Sequence, residues 1–289
     1  MISSCGDAVI CPYCRARCAG DQLLMSCGPL CASAPPFPVK ALRRNRCPHG
    51  RVPLARRVCP ACGRAVPREY AEAPGRAIVV VGEREAGKSA WISAAVRQFE
   101  TGEAALAGLS VHLLGESSRN RYADLRTPSA EPLLMSIRSV SAKPVVLALY
   151  ELPEDDCPPD VMATAAGVVH VIDPGRLPGV RTLFGLEPLP PRPTPWAHPV
   201  PTAMTVTKLD LVRDMFTDGS PLRRPGLQDR GHVESDSLDV HHEVEAWLAR
   251  WGGIEAPPGH RCFALSALDG QRVAEPLLWL LSQFRATRA

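Results

Sequence analysis

Gly82, Glu83, Arg84, Glu85, Ala86, Gly87, Lys88 and Ser89 spell GEREAGKS. Two glycines, a lysine and a serine at this spacing are what a phosphate cradle requires. The glycines allow a tight turn that aims backbone N–H groups at phosphate oxygens. Lys88 is spaced to reach β- and γ-phosphates, and the Ser89 hydroxyl to ligate Mg²⁺. From Lys88 through Ala90 onward the chain reads as a helix, whose N-terminus favours an anion.

A phosphate loop does not choose a base. Downstream, an apolar run ends in Thr207, Lys208, Leu209 and Asp210. The Asp210 carboxylate can accept two hydrogen bonds from guanine N1–H and N2–H₂, whereas adenine would leave it unpaired. The Lys208 stem can lie along a base plane. A further apolar run ends in Ser266, Ala267 and Leu268, which resembles the Ser-Ala-Lys element of GTPases whose backbone contacts the guanine carbonyl. Leucine at the third place leaves only that backbone role. Together these elements favour GTP over ATP.

Between the phosphate and base elements lies Tyr150-Glu151-Leu152-Pro153-Glu154. This resembles the place where GTPases carry Asp-x-x-Gly, with Glu151 for the aspartate, one methylene longer but still able to hold a metal-bound water, and Glu154 for the glycine. Glu154 adds negative charge where a γ-phosphate would lie, and Asp155 and Asp156 deepen it. Thr127 stands ahead of this segment and is a candidate for reaching Mg²⁺, although an ordinary loop explains it as well. The expected catalytic set is therefore Lys88, Glu151 and Thr127, with no glutamine to position water and slow hydrolysis as the consequence.

Nine of the eleven cysteines fall within the first 62 residues. In a reducing compartment such clustering indicates metal rather than disulfides. The candidate Zn²⁺ ligands are Cys11 and Cys14, Cys27 and Cys31, Cys47 with His49, and Cys59 with Cys62. Cys-Pro-x-Cys closes a knuckle that presents two thiolates to one ion. Eight ligands imply two tetrahedral sites, with the pairing open and Cys5 and Cys18 as spares. The alternative is a disordered thiol-rich tail. Cys157 and Cys262 read as small buried apolar residues.

Elements that could position these groups follow from periodicity. AIVVV (77–81) is a buried parallel strand immediately before the phosphate loop, and 88–99 has helical spacing. LLMSIR (133–138) and VVLALY (145–150) suit a hairpin. Residues 167–172, 202–206 and 261–265 read as further buried strands, with helices at 240–251 and 273–285. The order predicts an α/β sheet flanked by helices, a P-loop NTPase fold, over 77–289. Residues 174–201, rich in proline, and polar 217–237 read as irregular. Residues 1–70 form a separate cysteine-rich module, since so little apolar sequence needs metal to fold.

Net charge is +3 and no run of 18 apolar residues occurs. A polycation and a membrane-spanning chain are excluded, and a soluble cytoplasmic location is expected. Residues 38–70 carry nine Lys or Arg against Glu69 alone. That excess could serve nucleic acid, but zinc-bound thiolates would absorb part of it.

The motifs from 77 to 270 resemble the translation-factor-like class of P-loop GTPases. With the CPYC and CPACG knuckles ahead of them, they are similar to bacterial GTPases of the double-GTPase type, associated with multi-component conflict or signalling systems. YELPEDD (150–156) follows the Tyr-Asp-x-x-Gly-Glu-Asp outline of that family with two losses. The resemblance implies GTP and Mg²⁺ as ligands and a nucleotide-dependent switch acting with protein partners. A pseudo-GTPase scaffold and a zinc-ribbon nucleic-acid binder are the competing readings.

Overall fold

The computed structural model describes residues 9–18, 22–27, 35–38, 41, 46–49, 56–72, 75–100, 108–123, 131–139, 142–189, 199–224 and 233–286. Thr127 and Cys31 lie outside these. A seven-stranded sheet organises the described chain. Its strands are β1 (Arg76–Gly82), β2 (Leu109–Leu113), β3 (Leu133–Ser139), β4 (Ala142–Pro153), β5 (Ala165–Ile172), β6 (Thr202–Val206) and β7 (His260–Ala264). The order is β7-β6-β5-β1-β4-β3-β2. β4, β1, β5, β6 and β7 run parallel, while β3 pairs antiparallel with both β4 and β2. Runs such as IVVV are apolar at every position because both faces of a central parallel strand are covered.

Helices α1 (Lys88–Glu100) and α7 (Glu275–Ala286) cover one face. Trp91, Ile92, Val96 and Phe99 of α1 pack on Ile78, Val80 and Leu149, with Leu277 and Leu280 of α7 in the same core. α2 is Gly115–Ala123, α3 Pro159–Ala163, α4 Pro178–Leu183, α5 Leu209–Val212 and α6 Glu234–Gly252. α4, α5 and α6 enclose a second core on Ile172, Met204, Val206 and Cys262.

The rest of that second face is covered by the cysteine-rich segment. Val9, Cys11, Cys18, Leu23, Cys59, Val66 and Tyr70 share one apolar cluster with Val79, Val81, Leu134, Val146 and Ala148 of the sheet. The segment itself has a two-stranded ribbon, Val9–Ile10 with Arg17–Cys18, and a four-stranded sheet built from Phe37–Pro38, Leu24–Ser26, Arg56–Val58 and Ala65–Val66.

The structure adds elements that periodicity missed. In β2, LSVHL, Ser110 and His112 are exposed at the sheet edge. α2, GESSRNRYA, buries only Ser118 and Arg121, so it has no apolar stripe to detect. Within 174–201, expected to be irregular, Asp173 caps a turn over Pro174–Arg176, and α4 starts with proline at its first position. Within 217–237, Pro221–Arg223 is a short turn capped by Ser220, and α6 begins at Glu234.

Candidate nucleotide site and metal clusters

β1 ends at Gly82 and α1 begins at Lys88, so GEREAGKS spans the turn between them. Gly82 has φ +152, and a Cβ there would lie 2.4 Å from the Val171 carbonyl oxygen on neighbouring β5. Gly87 has φ +92 and faces the Thr207 hydroxyl. Both positions therefore require glycine, one for a close backbone approach and one for its conformation. The Lys88 ammonium curls back to donate to the carbonyl oxygens of Gly82, at 2.8 Å, and Glu83, at 2.6 Å. Burial pushes its pKa below the ordinary value, while Glu151, Glu154, Asp155 and Glu83 pull it back up. A buried cation whose hydrogen bonds go to two loop carbonyls can exchange them for phosphate oxygens, against the opposing field of the nearby carboxylates. Arg84, Glu85 and Ala86 complete the turn, with Glu85 at φ +64, and Ala90 follows within α1.

Ser89 Oγ donates to Glu151 Oε1 at 2.5 Å. β1 and β4 place them together, because Glu151 pairs with Val80 in register and β4 continues to Pro153 opposite Gly82. Two oxygen donors from two elements at this separation fit a Mg²⁺ shell, as residues that would hold the ion or its waters. The other oxygen of Glu151 lies 3.4 Å from Arg121 Nη2. Arg121 was not foreseen, since it sits on the polar helix α2. Its guanidinium is buried, and burial lowers its pKa while Glu151 opposes the shift. Glu154 lies with Oε1 3.5 Å from His170 Nε2 on β5. Its field, with that of Asp155, still reaches Lys88.

At the base end, Thr207 is buried and its Oγ1 lies 2.6 Å from the Ala86 carbonyl oxygen and 3.2 Å from that of Ile172. The hydroxyl thus joins the base element to the phosphate loop. Lys208 sits in the left-handed region at φ 52 and donates to Asp173 Oδ2 at 2.7 Å. Asp173 is a positioning residue the sequence reading missed; an aspartate at a strand end is its only signal. Asp210 Oδ1 accepts from the buried Ser266 hydroxyl at 2.7 Å. Leu209 N–H donates to the Leu265 carbonyl at 3.0 Å, so the two base elements form one loop pair. Ala267 is half-buried and Leu268 is 84% exposed, which leaves the backbone as this loop's contribution. Glu83 accepts from Arg176 at 2.8 Å, a second unforeseen brace across the phosphate loop.

Cys11, Cys14, Cys59 and Cys62 form one cluster, and Cys27, Cys47 and His49 another. This decides the pairing left open by the sequence: outer knuckle with outer, inner with inner. Cys11 Sγ lies 3.8 Å from Cys62 Sγ, and Cys14 Sγ 3.7 Å from Cys59 Sγ. Sulfurs bonded at about 2.3 Å to a tetrahedral Zn²⁺ are about 3.8 Å apart, so the first cluster has the edge lengths of a zinc site. The two knuckles have matching frames. Arg15 N–H donates to the Cys11 carbonyl and Gly63 N–H to that of Cys59, each at 2.9 Å, and both residues have positive φ. Burial pushes the Cys59 thiol up, but hydrogen bonds from the N–H groups of Cys62 and Ala61 and from the Cys11 and Cys14 thiols together outweigh it and bring its pKa to about 7. In the second cluster, Cys27 Sγ lies 3.5 Å from His49 Nδ1.

No helix among the described residues is long and apolar enough to cross a membrane. No family profile and no curated protein matches the sequence. Among solved structures, the chain is similar to an ADP-ribosylation-factor-like GTP-binding protein, the small COPII coat GTPase Sar1 from Encephalitozoon cuniculi in complex with GDP. The identity is 15%, with 74% of this chain and 81% of that chain covered and a TM-score of 0.34. It is also similar to Methanosarcina barkeri Roco2 bound to GDP (10%, 73% and 48%, TM-score 0.35) and to a GTP-binding protein from Sulfolobus solfataricus in complex with GDP (11%, 74% and 53%, TM-score 0.31). The matched region spans about half the length of these last two.

Proposed function

We propose that this chain binds GTP with Mg²⁺ at the loop 82–89 and acts as a slow or partner-dependent GTPase switch. The observation that carries this is the Thr207–Ala86 contact, which locks a guanine-selective carboxylate loop onto a phosphate loop already holding Ser89 against Glu151. When bound, Mg²⁺ would neutralise charge between the phosphates. Lys88 would exchange its two carbonyl partners for phosphate oxygens, and Asp210 would exchange the Ser266 hydroxyl for the guanine N–H groups. Arg121 holds Glu151 in place. Glu154 gives this place a carboxylate and a non-glycine backbone, which disfavours a close N–H contact to a γ-phosphate. Slow turnover and a role in a bacterial multi-component system with protein partners follow from this and from the family resemblance.

The test is binding of labelled GTP and ATP to the purified chain, followed by phosphate release. Tight GTP binding with little release over many minutes supports the switch. Equal affinity for both nucleotides removes the guanine reading.

A further inference from the structure

A cluster outside both the nucleotide site and the N-terminal cysteines joins helix α6 to strand β7. His260 and Cys262 are two apart on a strand, hence on one face, and His241 and Glu245 are four apart on a helix, hence on one face. The two faces meet. One ligand atom from each of His241, His260 and Cys262 lies within 4.8 Å of the others. Glu245 carboxylate oxygens stand 3.5 Å from His260 Nε2 and 4.0 Å from His241 Nε2. The His260 side chain is 7% exposed; its buried Nδ1 has no hydrogen-bond partner among the described residues, while its Nε2 faces the Glu245 carboxylate at 3.5 Å. Burying such an atom unsatisfied is costly, and in proteins the usual compensation is a partner.

We propose that His241, Glu245, His260 and Cys262 form a Zn²⁺ site that staples α6 to the edge strand β7. Two imidazoles, one thiol and one carboxylate make a four-donor set of the nitrogen, sulfur and oxygen types zinc accepts. Tetrahedral zinc places such ligand atoms roughly 3.3–3.8 Å apart, so His241, His260 and Cys262 must draw together from within 4.8 Å, and Glu245, now against the two imidazoles, must swing in as the fourth ligand. A thiolate and a carboxylate offset the two charges of the ion, so the assembled site is neutral and can be buried. His241 Nδ1 accepts the Cys262 N–H at 3.1 Å. Coordination through Nε2 moves the ring proton to Nδ1, so His241 must give up that hydrogen bond on binding; His260 exchanges its Glu245 contact for the ion, and Cys262 releases its thiol proton to solvent. Among the described residues β7 pairs with β6 alone, and it leads directly into Ser266. A metal here therefore anchors the strand that carries the second base loop, independently of which nucleotide is bound.

The experiment is metal analysis of the full-length protein purified under reducing conditions, comparing wild type with Cys262→Ser, His260→Gln and the His260→Gln/Glu245→Gln double variant. Circular dichroism checks that each is folded. Loss of about one zinc per chain is expected in each, additive to the loss caused by Cys14→Ser at the first knuckle pair. The absorbance of Co²⁺-loaded protein should also lose the charge-transfer intensity of a single thiolate in Cys262→Ser. Should Cys262→Ser fail to fold, the double variant decides, because Glu245 lies at the half-exposed edge of the cluster. Unchanged metal content in the folded double variant overturns the site, and copper in place of zinc in wild type overturns the choice of metal.

Discussion

The Tyr150 hydroxyl donates to the Pro12 carbonyl oxygen at 2.7 Å. Tyr150 ends the apolar part of β4, one residue before Glu151, and Pro12 lies inside the first Cys-Pro-x-Cys knuckle. Arg15 of the same knuckle stacks over the Tyr150 ring at 5.3 Å and pairs with Asp160 of α3 at 2.8 Å. The cysteine-rich segment is thus fastened to both sides of the stretch that carries Glu151 and Glu154. Tyr150→Phe should leave a buried carbonyl unpaired and cost about 1 kcal/mol, or roughly 2–4 °C in melting temperature. Proteolysis of the first knuckle should rise with it. An unchanged melting temperature and cleavage rate would mean that the bond contributes nothing.

Lys88→Ala should abolish nucleotide binding while the chain stays folded. The ammonium's partners are two carbonyls at the loop itself, so its removal unties no distant element. Titration of labelled GTP against both proteins checks this, and retained affinity would dismiss the loop as the phosphate site.

Two substitutions at the base end should behave differently. Asp210→Asn should erode the preference for GTP over ATP by about ten- to hundred-fold, the cost of one lost charge-assisted pair. Thr207→Val removes the hydroxyl that touches Ala86. It should weaken GTP and ATP alike, by roughly tenfold, because it loosens the loop and not the base contact. Competition binding with both nucleotides separates the two effects.

Two zinc ions are expected in residues 11–62, and the shared core changes what their removal should do. The sequence suggests a separable module, whose chelation would leave 77–289 folded. However, Val9, Leu23, Val66 and Tyr70 cover Val79 and Val81 of the sheet. Chelation should therefore lower the stability of the nucleotide domain too, and Cys59→Ser more than Cys27→Ser, because only the first cluster lies in that core. Thermal melts of each variant, with metal counted in parallel, provide the check.

The double change Glu151→Asp with Glu154→Gly should speed turnover or tighten GTP over GDP. It restores a short metal-side carboxylate and a backbone free to approach the γ-phosphate. It also removes the carboxylate near His170. Wild-type turnover at several per second would instead mean that the switch works by another route.

Much of this was legible in the order of residues because short-range rules govern it. Unbroken apolar runs announce buried parallel strands, and GEREAGKS between AIVVV and a helical spacing marks the phosphate loop without any long-range information. Thr207, Asp210 and Ser266 were each found by their place at a strand end. What they bind to in the fold was not, because hydrogen bonds between Thr207 and Ala86, or between Ser266 and Asp210, join residues 121 and 56 positions apart. Arg121 and Asp173 left no periodic trace, since a single buried charge on a polar helix or at a strand end is set by the partner it meets. The pairing of the knuckles was likewise a tertiary decision. Spacing specifies two thiolates per knuckle, but only the packing of the segment on Val79 and Val81 brings Cys11 and Cys14 to Cys59 and Cys62. Cys262 shows the same limit: alone it reads as a small apolar residue, and only the crossing of α6 over β7 sets His241 beside it and its strand neighbour His260.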